Sequence, residues 1–405
     1  MSFLTFLKDN LRWVFGGFLL TFFSSYGQTF FIALSSGHVR AEFNLSHGDF
    51  GSLYMMATLA SALTLPRLGR IVDEMSVART ILIVAPLLAL AAASMSRVSH
   101  LWILVLTLYA LRLFGQGMMT HISMTAMGRW FSAERGRALS IATIGHQVGE
   151  AVFPLIFVAV VATVGWRYTW LMAAVTIILA LPVLWLLMHS ERQPRSTDAA
   201  ERRPVVRHWT RGEVLRDPLF YFTLMGVLAP GFIGTTIFFH QVYLVELRGW
   251  SMQTFASSFA VMSLMTLICA LGSGGLIDRY SAIRLLPGYL IPLALACFSL
   301  ALFEQQWTVF VFMALLGVSY GFSSTLLGAV WPEIYGVHHL GAIRSVIVAT
   351  MVFATALGPG LTGYLIDIGV SYPVQIGVMG AYCLVACVVM LHISRRVIAR
   401  QRLLS

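Results

Sequence analysis

"GRIVDEMSVAR", residues 69–79, and "GGLIDRYSAIR", residues 274–284, are nearly the same charged phrase, written twice in a chain that is otherwise mostly apolar. Adding 205 to Gly69, Asp73, Ser76 and Arg79 gives Gly274, Asp278, Ser281 and Arg284. The same offset carries Gly136 onto Gly341 and Pro154 onto Pro359. The chain therefore reads as two copies of one unit, with each phrase at the same place in its copy.

What surrounds the phrases says what kind of unit this is. Hydrophobic residues make up 58% of the chain and charged residues 11%, against roughly 25% charged in soluble proteins. Twelve apolar runs lie near the length of about 20 residues that a helix needs to cross a bilayer. They fall at approximately 13–35, 49–66, 78–96, 101–126, 137–163, 166–188, 218–246, 252–275, 285–303, 307–331, 342–366 and 372–393. Barrel strands would alternate polar and apolar residues over about ten positions, and "ILIVAPLLALAAASM" does not. The expected fold class is an all-α membrane protein with twelve transmembrane helices in two pseudo-symmetric six-helix bundles. The expected organisation is a bundle at 1–188, a polar, Arg-rich linker at 189–217 and a second bundle at 218–405. Both repeated phrases then fall in the turn after the second helix of a half. Parallel halves of this kind are a transporter plan, with substrate held near the membrane midplane between them.

A formal charge of +10 raises nucleic acid as a partner, but the charge is not distributed for it. With the N-terminus in the cytoplasm, 22 of the 27 basic residues fall on inside segments, four outside and one, Arg112, within a helix. That bias predicts a multi-pass protein with both termini cytoplasmic, and with it a lipid partner and no nucleic acid. Lys8 and Arg12 lead into a first span without an obvious cleavage site, so the span is expected to be retained. The four cysteines, Cys269, Cys297, Cys383 and Cys387, all lie in predicted helices, where a thiol serves as a small hydrophobe. No disulfide, metal or cofactor is expected. Frequent Arg with a single Lys fits a high-GC bacterial gene, and hence a bacterial inner membrane.

The repeated phrase resembles the loop of the major facilitator superfamily: Gly, three residues, Asp, then basic residues around a tight turn. Gly69, Asp73 and Arg79 match it, as do Gly274, Asp278, Arg279 and Arg284, with Glu74 in place of a basic residue and Ser76 and Ser281 in place of glycines. The resemblance covers the whole chain and implies a secondary transporter in which these loops gate. "MGRWFSAERGRALSIATIGHQVGEAVFP", from Met127, is similar to the segment joining helices four and five of the monocarboxylate-porter-like and oxalate/formate-like branches. Those branches commonly carry a basic substrate residue in helix eight, and "FASSFAVMSLMTLICALGSGGL" has none.

Polar residues inside the spans mark candidate function. Arg112 lies mid-way along the fourth span, where a cation costs on the order of 2.5–3.5 kcal/mol and must face a partner or a wet cavity. With Gln116 at i+4 it can grip an anion; alternatively it pairs with an internal carboxylate or with helix carbonyls. Glu150 and His146, one turn apart in the fifth span, are read either as carriers of a coupling proton or as part of a fixed Arg112–Glu150 bridge. Tyr26 and Gln28 in the first span, Tyr320 in the tenth, and His240 and Gln241 in the seventh are candidate substrate contacts. Gly69, Asp73, Arg79, Arg129, Arg137, Gly274, Asp278 and Arg284 are candidate gating residues, since ion pairs at helix ends can hold one arrangement and break in another. Gly145, Gly149, Pro154, Gly358 and Pro359 are expected at close helix contacts.

Neither His-Glu-x-x-His nor a Gly-rich phosphate loop occurs, so neither a metalloprotease nor a nucleotide-driven pump is indicated, and no enzyme is expected. A channel would need a repeated filter or rings of one charge. The sequence points to a monomeric secondary transporter of a small organic solute, a carboxylate anion in particular, driven by protons. An exporter of amphipathic compounds is the alternative, and a transporter-derived sensor a more distant one.

Overall fold

Long apolar runs have nowhere to satisfy backbone polar groups in lipid except along their own axes, so they coil into helices. The computed structural model describes residues 3–131, 134–192, 209–336 and 339–404. Helices in it correspond in order to the twelve runs: α1 (Phe3–Ser24), α2 (His47–Leu68), α3 (Val77–Arg97), α4 (Leu101–Trp130), α5 (Arg135–Val164) and α6 (Trp166–Met188), then α7 (Pro218–Phe239), α8 (Met252–Tyr280), α9 (Ile291–Leu302), α10 (Thr308–Tyr335), α11 (Leu340–Asp367) and α12 (Tyr372–Leu404). Among the described residues nine are long and apolar enough to cross a membrane by themselves. A tenth crossing is α1 taken with its continuation to Phe43, bent by 42°.

Local chemistry explains the departures from the predicted spans. The first is interrupted where "SSYGQT" replaces apolar residues: Ser25–Gly27 forms a 3₁₀ turn, and Gln28 is extended with ψ 154°. The ninth is short because Pro287 and Gly288 hold residues 286–290 in turns before α9 begins. The seventh halts at His240 and resumes as Gln241–Arg248. Polar caps sharpen other starts. Ser46 and Asp49 form a reciprocal capping box on α2. Asp217 accepts from Leu219 N–H at 3.0 Å ahead of Pro218, the first residue of α7.

The described chain separates into two compact units, Met1–Glu201 and Arg202–Ser405. In the first, α1 packs on α5, α2 on α4 and α3 on α6. In the second, α7 packs on α11, α8 on α10 and α9 on α12, the same three pairings six helices on. The duplication extends to single backbone angles. Asn44 and Gly249, 205 apart, both end a helix in the left-handed conformation, with φ 51° and 63°.

Candidate functional site

Two irregular backbones meet inside the first unit. Within α4, Leu111–Met119 forms a π-helix, an uncommon geometry that concentrates at functional sites. It lies against the interruption that follows α1. An ideal Cβ on Gly27 would fall 2.2 Å from the Leu111 carbonyl oxygen and 2.7 Å from Gly115 Cα; one on Gly115 would fall 2.6 Å from Gly27 Cα. Only glycine on both sides permits this contact.

Arg112 works at this joint. Its side chain is buried, and Nη1 donates to the Gly27 carbonyl at 3.2 Å and to Thr29 Oγ1 at 3.3 Å. The guanidinium stands 5.4 Å from the centroid of the Tyr54 ring, and the Tyr54 hydroxyl shares a 2.7 Å hydrogen bond with Thr29 Oγ1. A carbonyl left unbonded by the helix interruption thus gains a donor. Of the internal partners expected for Arg112, the helix carbonyl is present. A carboxylate is absent among the described residues, and Nε is buried with no partner.

The carboxylate offered for a bridge is engaged elsewhere. Glu150, 7% exposed, lies with Oε1 3.5 Å from His146 Nε2, one turn back along α5. His146 Nδ1 is buried and has no partner. The face of α5 that carries the glycines meets α1. An ideal Cβ on Gly145 would fall 2.0 Å from the Phe18 carbonyl oxygen, and one on Gly149 2.1 Å from Ser25 Oγ. In the second unit, a Cβ on Gly358 would fall 2.1 Å from Thr236 Oγ1.

The other candidates are dispersed. Tyr26 is buried and directed to α6, with its hydroxyl 2.9 Å from Thr176 Oγ1 and its ring 4.5 Å from that of Phe153. Gln28 and Gln116 are half-buried, and their side chains make no hydrogen bond among the described residues. The Tyr320 hydroxyl would stand 1.7 Å from a Cβ on Gly234, so the ring end occupies the space that this glycine leaves. His240 Nε2 lies 3.1 Å from the Pro359 carbonyl oxygen, and Gln241 is fully buried.

At the repeated loops, a Cβ on Gly69 would fall 2.9 Å from the Leu65 carbonyl and 3.1 Å from His121 Nε2, whereas Gly274 has open space around it. Arg129 donates to the Val72 carbonyl at 3.2 Å, and Arg137 pairs with Glu134 at 3.3 Å. Arg79 and Arg284 are exposed. The side chains of Asp73 and Asp278 lie outside the described residues, as does the 193–208 part of the linker. Ser281, which stands where the family carries glycine, takes φ 72° and ψ 150°, a region suited to glycine.

Sequence reasoning passed over a pair of related knots. In the first unit Arg192 Nε donates to Asn10 Oδ1 at 3.1 Å, Nη1 donates to the Trp130 carbonyl, and the guanidinium lies 4.4 Å from the Phe131 ring. This ties the start of α1 to the ends of α4 and α6. In the second unit Arg400 pairs with Asp217 at 2.8 Å, the Tyr335 hydroxyl donates to the same carboxylate oxygen at 3.1 Å, and Arg400 lies 4.7 Å from the Trp209 ring. Here the start of α7 is tied to the ends of α10 and α12. Asp217 before a helix-starting proline was a visible signal. The arginines were absorbed into the topological charge bias.

The sequence profile of the Major Facilitator Superfamily matches residues 17–341 and 249–403. MFS transporter asaE of Aspergillus flavus is 24% identical over 160 residues, 39% of this chain and 34% of that protein, so the alignment spans about a third of the relative's length. Among solved structures, a bacterial homolog of the human lysosomal transporter Spinster, inward-facing and unoccupied, superposes with a TM-score of 0.73 at 16% identity, over 95% of this chain and 97% of that one. Its occupied form gives 0.65 at 16% identity over 98% and 96%. The fold is therefore shared where sequence has diverged, while the profile covers nearly the whole chain. The chain belongs to the major facilitator superfamily, and is an integral, multi-pass membrane transporter and not an enzyme.

Proposed function

We propose that this transporter moves a small organic anion, a carboxylate, by alternating access, with protons as the coupling ion. One observation carries the reading: Arg112 is a buried guanidinium within a membrane helix, without a carboxylate counter-charge among the described residues and with Nε unbonded. Removing a charge from water without a partner is costly, and an arriving carboxylate would supply both the missing charge and an acceptor. Glu150 supports the coupling. It is a buried membrane carboxylate whose ionic neighbour is a histidine, and such carboxylates recur in proton relays. The distribution of basic residues supports cytoplasmic termini, and the preference for Arg over Lys a bacterial inner membrane.

The test is uptake into proteoliposomes of set internal pH, using a panel of small carboxylates with and without an inward proton gradient. Wild type should accumulate one acid in a gradient-dependent way. Arg112→Ala should lower uptake about 10- to 100-fold, the equivalent of a charge-assisted hydrogen bond of about 1.5–3 kcal/mol. Absence of acid uptake by folded protein in both conditions would move the assignment to the exporter of amphipathic compounds.

A further inference from the structure

The copy without an arginine shows what one tyrosine is for. Arg112 is anchored through Nη1, which donates to the Gly27 carbonyl at 3.2 Å and to Thr29 Oγ1 at 3.3 Å. That commits both hydrogens of this nitrogen. A planar guanidinium fixed at one nitrogen can still tilt about it, and the direction of the plane decides whether its other N–H groups meet a carboxylate as a fork.

Tyr54, on α2, supplies what the anchor lacks. It is fully buried, its ring centroid stands 5.4 Å from the guanidinium carbon, within the range of a cation–π contact, and its hydroxyl lies 2.7 Å from Thr29 Oγ1. That oxygen is the one to which Arg112 donates. A hydroxyl has one hydrogen and two lone pairs, so the bond to Tyr54 fixes the direction from which Thr29 can accept. Tyr54 thus bears on Arg112 twice, through its ring and through Thr29. The three residues come from α2, from α4 and from the segment after the break in the first span.

The repeat separates packing from positioning. Adding 205 to Thr29, Tyr54 and Arg112 gives Gly234, Phe259 and Gly317. The aromatic ring is kept in the second copy: Phe259 is also fully buried, with its centroid 5.1 Å from that of Phe238 and 5.9 Å from that of Phe255. The phenolic hydroxyl, its threonine partner and the cation are missing together. A ring at this position therefore serves helix packing in both units, whereas the phenolic oxygen occurs only where there is a guanidinium to orient. Burying a hydroxyl carries a desolvation cost that a phenyl ring avoids, so packing alone gives no reason for tyrosine here.

We propose that Tyr54 is a positioning residue for the transported anion: its ring and hydroxyl together hold the Arg112 guanidinium in the plane that receives the carboxylate. This role rests on the anion reading of Arg112. The experiment uses the full chain in proteoliposomes and measures initial uptake rates over a range of concentrations of radiolabelled formate, acetate, lactate, oxalate and succinate. Tyr54→Phe, which keeps the ring, should raise the half-saturating concentration of the transported acid about threefold to tenfold, as for the loss of one net hydrogen bond. The maximal rate per folded transporter should be unchanged. Thr29→Val should do the same, and Thr29→Ser should behave as wild type. In an Arg112→Lys background, where no plane remains to orient, Tyr54→Phe should shift half-saturation by less than about twofold. A merely structural tyrosine gives another pattern, in which fewer folded molecules lower the maximal rate and leave half-saturation where it was. That pattern, or an equal shift in the lysine background, would overturn the proposal and leave the anion reading standing. Uptake of none of these acids by folded wild type would remove the anion reading, and the role of Tyr54 with it.

Discussion

Asp217→Ala should be one of the most damaging single changes in the second unit, and the duplicated architecture supplies its own control. Three groups depend on this carboxylate: the Leu219 N–H at the start of α7, Arg400 at 2.8 Å and the Tyr335 hydroxyl at 3.1 Å. Loss of the cap costs about 1 kcal/mol. Stranding an arginine and a hydroxyl costs on the order of 2 kcal/mol more, kept below the 3–5 kcal/mol of a fully buried pair, because the Arg400 side chain is 24% exposed and water can reach it. The total is about 3 kcal/mol. Asp217→Asn retains an acceptor for the cap and for the arginine. It would reproduce the first unit, where Asn10 Oδ1 accepts from Arg192 at 3.1 Å, and should cost about 1 kcal/mol. At roughly 2–4 °C per kcal/mol for a unit of this size, thermal melting in detergent should fall by about 6–12 °C for alanine and about 2–4 °C for asparagine. Equal losses for the two variants, or a wild-type melting profile for alanine, would refute the view that a shared acceptor holds the knot.

Ser281→Gly should raise the melting temperature, because a serine at φ 72° and ψ 150° carries about 1–3 kcal/mol of backbone strain that glycine avoids; unchanged or lower melting would refute it. Gly145→Ala should lower stability by about 1–3 kcal/mol, since the new Cβ would fall 2.0 Å from a carbonyl oxygen, whereas Gly136→Ala, with open space around it, should be nearly silent in the same melting assay. Glu150→Gln should leave the folded yield near wild type and abolish gradient-driven uptake while sparing counterflow exchange of substrate; intact driven uptake with reduced yield would reassign Glu150 to structure.

Much of this was legible because the bilayer imposes strict rules. The helical character of the runs and the two-fold repeat follow from hydropathy and from the spacing of a few glycines, aspartates and arginines. The π-helix was not legible, because the two glycines of "LRLFGQGMM" are tolerated in regular membrane helices and the close contact with Gly27 of another span has no sequence signature. "SSYGQT" was readable as polar but not as a break, since serine and glycine occur within intact membrane helices when neighbours satisfy the backbone. Arg112 was recognisable from its cost in lipid, yet its partners, the Gly27 carbonyl, Thr29 and Tyr54, come from two other spans and no spacing rule connects them. The knots at Arg192 and Arg400 were hidden because the positive-inside reading had already absorbed those arginines.

Gly27 and Gly115 touch backbone to backbone, and that contact constrains how the chain can change over time. Most packed pairs can drift, with one side chain shrinking as the other grows. Here both partners are already at the minimum size, so neither can compensate for the other. Any residue added on either side must separate the interruption after α1 from the π-helix of α4, and with it withdraw Arg112 from the Gly27 carbonyl. Change in this part of the chain therefore has to fall on residues around the joint, and leave the two glycines themselves untouched.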